Sequence, residues 1–175
     1  MENIKKTNKV YPVKLQRSRG YVLLETIFYI ILFVILSVAV IDAMITMTRA
    51  LKETAIQAEL MQGGNVMERI SREIRGAYGI NSISASDLKL NTKDSNGVNK
   101  TVEFLLSSSN VKFLENGGFT GNLNTSDIVI TALTFTQINT TKGIAIKIFL
   151  TIKSNHDIQN RTENFYDTIV LRGDY

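Results

Sequence analysis

The chain has no cysteine, one proline (Pro12) and one histidine (His156) in 175 residues. Without cysteine there is no disulfide framework and no thiolate chemistry, and cysteine usage says nothing about redox compartment. A lone histidine in a polar stretch, with no cysteine to join it, is not the donor set of a zinc site or of a His-based catalytic centre. Ser107–Ser109 lack a Gly-x-Ser-x-Gly setting and read as a turn. Asp94-Ser95-Asn96-Gly97 has the look of the front of a calcium loop but lacks the downstream bidentate acid, so a hairpin turn is the simpler reading. No catalytic residue, metal or cofactor is therefore expected, and the chain is not expected to be an enzyme.

Net positive charge is lacking after the first 20 residues. Lys5, Lys6, Lys9, Lys14, Arg17 and Arg19 stand there against Glu2 alone, a net of +5. Against +4 for the whole chain, residues 21–175 carry −1. The high pI thus belongs to the head of the chain and does not point to a nucleic-acid site. A basic head directly before an apolar run is the pattern of a cytoplasmic flank.

Tyr21 to Ile41 is predominantly apolar, and Glu25 is its only charge. As a helix rising about 1.5 Å per residue it spans about 31 Å, the thickness of a hydrocarbon core of about 30 Å. A secretory signal would have a shorter apolar stretch and a small-residue cleavage site; no Ala-x-Ala follows here. An acidic residue deep in a membrane helix costs on the order of a few kcal/mol unless it finds a partner. Glu25 either lies at headgroup level or has one.

The residues RSRGYVLLETIFYIILFVILSVAVIDAM, residues 17–44, resemble the prepilin signal of type IV pilins and pseudopilins: a basic leader ending in Gly20, a glutamate fifth after it, and an unbroken apolar helix. The resemblance implies removal of residues 1–20 by a membrane prepilin peptidase that cuts Gly20-Tyr21, and N-methylation of Tyr21. It also implies that Glu25 pairs with the α-ammonium of a neighbouring subunit. The implied partners are other pilin or pseudopilin subunits, the peptidase, an inner-membrane assembly platform and membrane lipid. The implied setting is the cytoplasmic membrane, crossed once with the C-terminal part extracytoplasmic, and then a pilus or pseudopilus. Tyr21 stands where the family usually has Phe. ERISREIRGA and FYDTIVLRG look most like the larger minor pseudopilins and minor pilins, the J-like and W-like groups. The absence of a C-terminal cysteine pair, and Asp42 where major pilins often have a helix-kinking proline, argue against a major pilin.

Past the span, residues 49–62 are good helix formers, with Leu51, Ala55, Ala58 and Met61 or Gln62 on one face. Gly63-Gly64 should break or kink the helix. Residues 65–78 resume it with Met67, Ile70, Ile74 and Ala77 or Tyr78 as the apolar stripe, Glu68–Arg72 and Arg69–Glu73 as i,i+4 pairs, and an end at Gly76 and Gly79. From Ile80 the period becomes two. Residues 87–91, 100–106, 111–114, 127–138, 143–154 and 163–172 read as strands, with turns at Asn96-Gly97, Gly117-Gly118 and 139–143.

The expected fold is α+β and pilin-like. It comprises a leader (1–20), an assembly helix (21–43), its continuation (44–78) and an antiparallel β-sheet domain (79–175) packed on the second half of the helix. Two function classes follow: a structural subunit of a type IV filament or secretion pseudopilus, or a single-pass anchored extracytoplasmic binding protein that never polymerises. The mature N-terminus separates them.

Overall fold

The computed structural model describes residues 19–141 and 143–171; residues 1–18 of the expected leader (1–20) lie outside them. One helix, α1 (Arg19–Gly76), is followed by β1 (Gly79–Ile83), β2 (Asp87–Lys93), β3 (Asn99–Ser107), β4 (Asn110–Glu115) and β5 (Gly118–Asn122), then β6 (Ile128–Thr140), β7 (Gly143–Ser154) and β8 (Thr162–Val170). The fold is α+β, with the helix packed on sheet. Residues 79–171 form two antiparallel sheets rather than one: β1-β2-β3-β4-β5 and β6-β7-β8. In each, neighbours in space are neighbours in sequence.

The chain divides into two compact units, up to Arg49 and from Ala50 onward. In the first, α1 is long and apolar enough to cross a membrane, and its apolar window is entirely unburied. Thr26 and Ser37 each donate their hydroxyl to the carbonyl four residues back, Val22 and Phe33, at 2.8 Å. Such back-bonding satisfies a hydroxyl without leaving the helix.

In the second unit, Val66, Met67, Ile70 and Ile74 are buried against both sheets, in one core with Phe104 and Phe113 of the first sheet and Ile148 and Leu150 of the second. Strand alternation delivers this: Leu88 and Leu90 on β2, and Ile146, Ile148, Leu150 and Ile152 on β7, are all fully buried, as period two requires of a sheet with one covered face. Arg69–Glu73 (2.9 Å) and Glu68–Arg72 (2.7 Å) form as expected.

The expected break at Gly63-Gly64 is absent; α1 runs through it. A Cβ on Gly63 would lie 2.3 Å from Cε2 of Phe165 and 2.8 Å from Cδ1 of Ile152. Gly63 thus makes room for side chains of β7 and β8, a packing requirement rather than a flexibility one. The apolar face expected from Leu51 and Met61 also fails: they are 61% and 75% exposed. Ile56 is buried there instead, between Glu53 and Glu59. This turn of helix meets the β7–β8 connection through charges, which hydrophobic periodicity does not register.

Candidate functional site

The first turns of α1 bring together the residues singled out in the sequence. Gly20 and Tyr21 both belong to the helix, which starts at Arg19. Tyr21 and Glu25 are one turn apart on one face. With Leu24, Ile27, Phe28 and Ile31 they line a shallow groove of about 500 Å³. Tyr21 is 74% exposed. Glu25 is exposed too, and among the described side chains its carboxylate has no hydrogen-bond or ion-pair partner. Thr26 next to it is satisfied by its own helix, whereas Glu25, the one acidic residue of the window Tyr21 to Ile41, has no such partner among the described side chains.

A second polar cluster, missed in the sequence, joins the helix to the β7–β8 connection. Arg161 donates through Nη1 and Nη2 to both carboxylate oxygens of Glu53, the Nη2 contact at 3.0 Å. Its Nε donates to Asp157 Oδ2 at 2.8 Å. Asp157 is buried and also accepts the backbone N–H of Gln159 and Arg161. The side-chain bond from Arg161 is the largest influence on it, and with the backbone donors it holds the Asp157 carboxyl at about 2 against a usual 3.8. The bond from Arg161 likewise lowers Glu53, while the two carboxylates raise Arg161.

Six residues further along the helix, Glu59 accepts the Ser154 hydroxyl and faces His156 Nδ1 at 2.9 Å. Serine, glutamate and histidine are thus neighbours, with the hydroxyl donating to the carboxylate and not to the imidazole. In both places the helix carboxylates are held by residues 154–161, which fastens the β7–β8 connection to the helix. Glu53 and Glu59, on either side of the buried Ile56, are the local trace of this fastening in the sequence, and they name no partner.

Asp94 accepts the N–H groups of Asn96 and Val98, both at 2.8 Å, and closes the β2–β3 turn, with Gly97 at φ +79°. Among the described residues no three His, Asp or Glu side chains are grouped to hold a metal ion. No family model, curated protein or solved structure matches this chain.

Proposed function

We propose that the chain is a structural subunit, a minor pilin or pseudopilin, of a type IV pilus or secretion pseudopilus, inserted in the cytoplasmic membrane and cut after Gly20 before assembly. The observation that carries this reading is the unpartnered Glu25 carboxylate, one turn after Tyr21 on an unburied apolar helix. Cleavage at Gly20-Tyr21 creates an α-ammonium on Tyr21. Each charge is costly alone in a low-dielectric setting, and a pair formed between neighbouring subunits relieves both. The groove beside them, lined by Leu24, Phe28 and Ile31, offers the surface against which a second apolar helix packs. Pairing of this kind also fixes axial register between helices.

The test uses Glu25→Leu, which makes the span more apolar and is expected to insert in the membrane and be cleaved normally while failing to join sheared filaments alongside wild type. Glu25→Gln, which still accepts a hydrogen bond, is expected to fail less completely. Entry of Glu25→Leu at wild-type levels overturns the pairing role. A mature protein that keeps Met1, instead of beginning at an N-methylated Tyr21, favours the non-polymerising anchor.

A further inference from the structure

The side of the three-stranded sheet turned away from the helix is built in rows. Thr134, Phe149 and Tyr166 are cross-strand partners, and so are Thr136, Lys147 and Thr168 on one side of them. On the other side lie Thr151 with Asn164, hydrogen-bonded at 2.8 Å, and then Lys153 with Thr162. The Phe149 and Tyr166 rings have centroids 5.0 Å apart and are inclined by 33°, so they form one apolar platform; Tyr166 is 66% exposed. Thr134, Thr136, Lys147 and both rings line a shallow cavity of about 390 Å³.

Charge on this face is of one sign. The acids of β8, Glu163 and Asp167, alternate to the other side, where Asp167 accepts the Ser71 hydroxyl of the helix at 2.7 Å. Among the described residues neither Lys147 nor Lys153 has an ion-pair partner, although acids outnumber bases elsewhere in residues 21–175. The two lysines are six residues apart on β7, roughly 20 Å at about 3.3 Å per residue.

We propose that this face binds an acidic polysaccharide running along β7. Charge complementarity calls for an anionic partner, and the aromatic platform calls for a ring with an apolar face. The hydroxyl and amide groups of Thr134, Thr136, Thr168 and Asn164 suit a ligand rich in hydroxyls. Single-stranded nucleic acid also has rings and negative charge, but it brings a phosphate at every residue and is held by a continuous basic groove with successive stacking side chains. Here the cations stand only near the two ends of the track, with neutral donors and acceptors between, which matches a sugar chain carrying carboxylates at intervals. A cross-strand aromatic pair stabilises a sheet by itself, but that role needs neither flanking lysines nor exclusion of acids. The site does not depend on the chain polymerising.

The experiment titrates the full-length chain in detergent micelles with a uronic-acid hexamer, hexagalacturonate, and with two comparison ligands, a neutral glucose hexamer and oligo-dT. Saturable binding of the uronate, weakened by salt and absent for the glucose hexamer, is expected. Lys147→Gln with Lys153→Gln should lower the affinity by about tenfold or more and remove its salt dependence, and Tyr166→Thr should lower it to a similar extent. Melting temperature serves as the control for folding, and the lysine pair, being at the surface, decides the matter if Tyr166→Thr unfolds. No saturable uronate binding overturns the proposal, as do equal binding of the glucose hexamer, unchanged affinity in the lysine double variant, and tighter binding of oligo-dT.

Discussion

Arg161 and Glu53 lie 108 residues apart in the chain and meet through both guanidinium Nη atoms and both carboxylate oxygens. The same guanidinium holds Asp157, so one side chain ties the β7–β8 connection to itself and to the helix. An Arg161→Lys variant keeps the charge but lacks the planar fork that matches two carboxylates. It is therefore expected to lower the melting temperature and to speed amide exchange over residues 155–161, leaving exchange in β2 to β4 unchanged. Equal protection of the connection in variant and wild type would refute the clamp.

Asp157 gives this clamp a pH signature. Its carboxyl titrates at about 2 in the folded protein against 3.8 ordinarily. A depressed carboxyl contributes stability that is complete above the unfolded value and is lost as pH falls through the folded one. Wild type should lose this contribution between about pH 4 and pH 2. In Asp157→Asn the loss should be smaller across that window, as read from urea midpoints in micelles; parallel pH curves for the two proteins would contradict the assignment.

Asp87 has the opposite sign. One of its carboxylate oxygens is buried with no partner, and burial, aided by the charge of Glu103 and opposed by Lys89, raises its titration. A raised carboxyl leaves stability intact below 3.8 and costs stability as pH rises through the folded value. Asp87→Asn should thus be more stable than wild type at pH 7, by about 1 kcal/mol or less, with the gain vanishing at acid pH. A loss of stability at pH 7 would show that the carboxylate has a partner that matters.

Gly63 and Gly64, adjacent and both helical, should respond oppositely to alanine. At Gly63 the new methyl meets the Phe165 ring and Ile152, and overpacking of that kind costs about 1–3 kcal/mol. At Gly64 the nearest atom is 3.9 Å away, and the usual gain from glycine to alanine in a helix, up to about 1 kcal/mol, should appear. Phe165→Ala should suppress the penalty at Gly63 in a double-mutant cycle. Additive effects would place the clash elsewhere.

Two hairpins offer a comparison within the protein. Asn116-Gly117 connects β4 to β5 with φ of 52° and 79°, and Ser108-Ser109 connects β3 to β4 with φ of 50° and 62°. Both are two-residue loops with positive φ at each position, the setting in which Asn-Gly is preferred. Ser108→Asn with Ser109→Gly should therefore stabilise the protein by about 1 kcal/mol. The denaturant midpoint should rise with its slope unchanged.

Where periodicity reports burial, the sequence was a good guide. The alternation in residues 143–154 became β7 with its isoleucines in the core, and the stripe of Met67, Ile70 and Ile74 became the packed side of the helix. Two strands escaped. β1 (Gly79–Ile83) and β5 (Gly118–Asn122) are short edge strands with little buried surface, so neither has an apolar alternation to reveal it. The glycine pair misled because helix propensity weighs the cost of glycine and not the ring of Phe165, which lies 102 residues further along the chain. The roles of Glu53 and Glu59 were missed for a related reason: their partners come from residues 154–161, and no local pattern announces a guanidinium that distant. At Glu25 the sequence was most informative. A charge within an apolar run is conspicuous without any structure.

The strand order has a temporal meaning. Each strand pairs only with its immediate predecessor and successor within its sheet, so a chain emerging N-terminus first can build both ladders progressively, none of them waiting for a later segment. Contacts this local favour fast folding. What must wait is the last strand: until β8 arrives, Gly63 faces no ring and Glu53 no guanidinium. The helix thus receives its last contacts from Arg161 and Phe165, and a product truncated before Arg161 would keep its early hairpins and the Ser154 and His156 contacts to Glu59 while leaving Glu53 without its guanidinium and Gly63 without its ring.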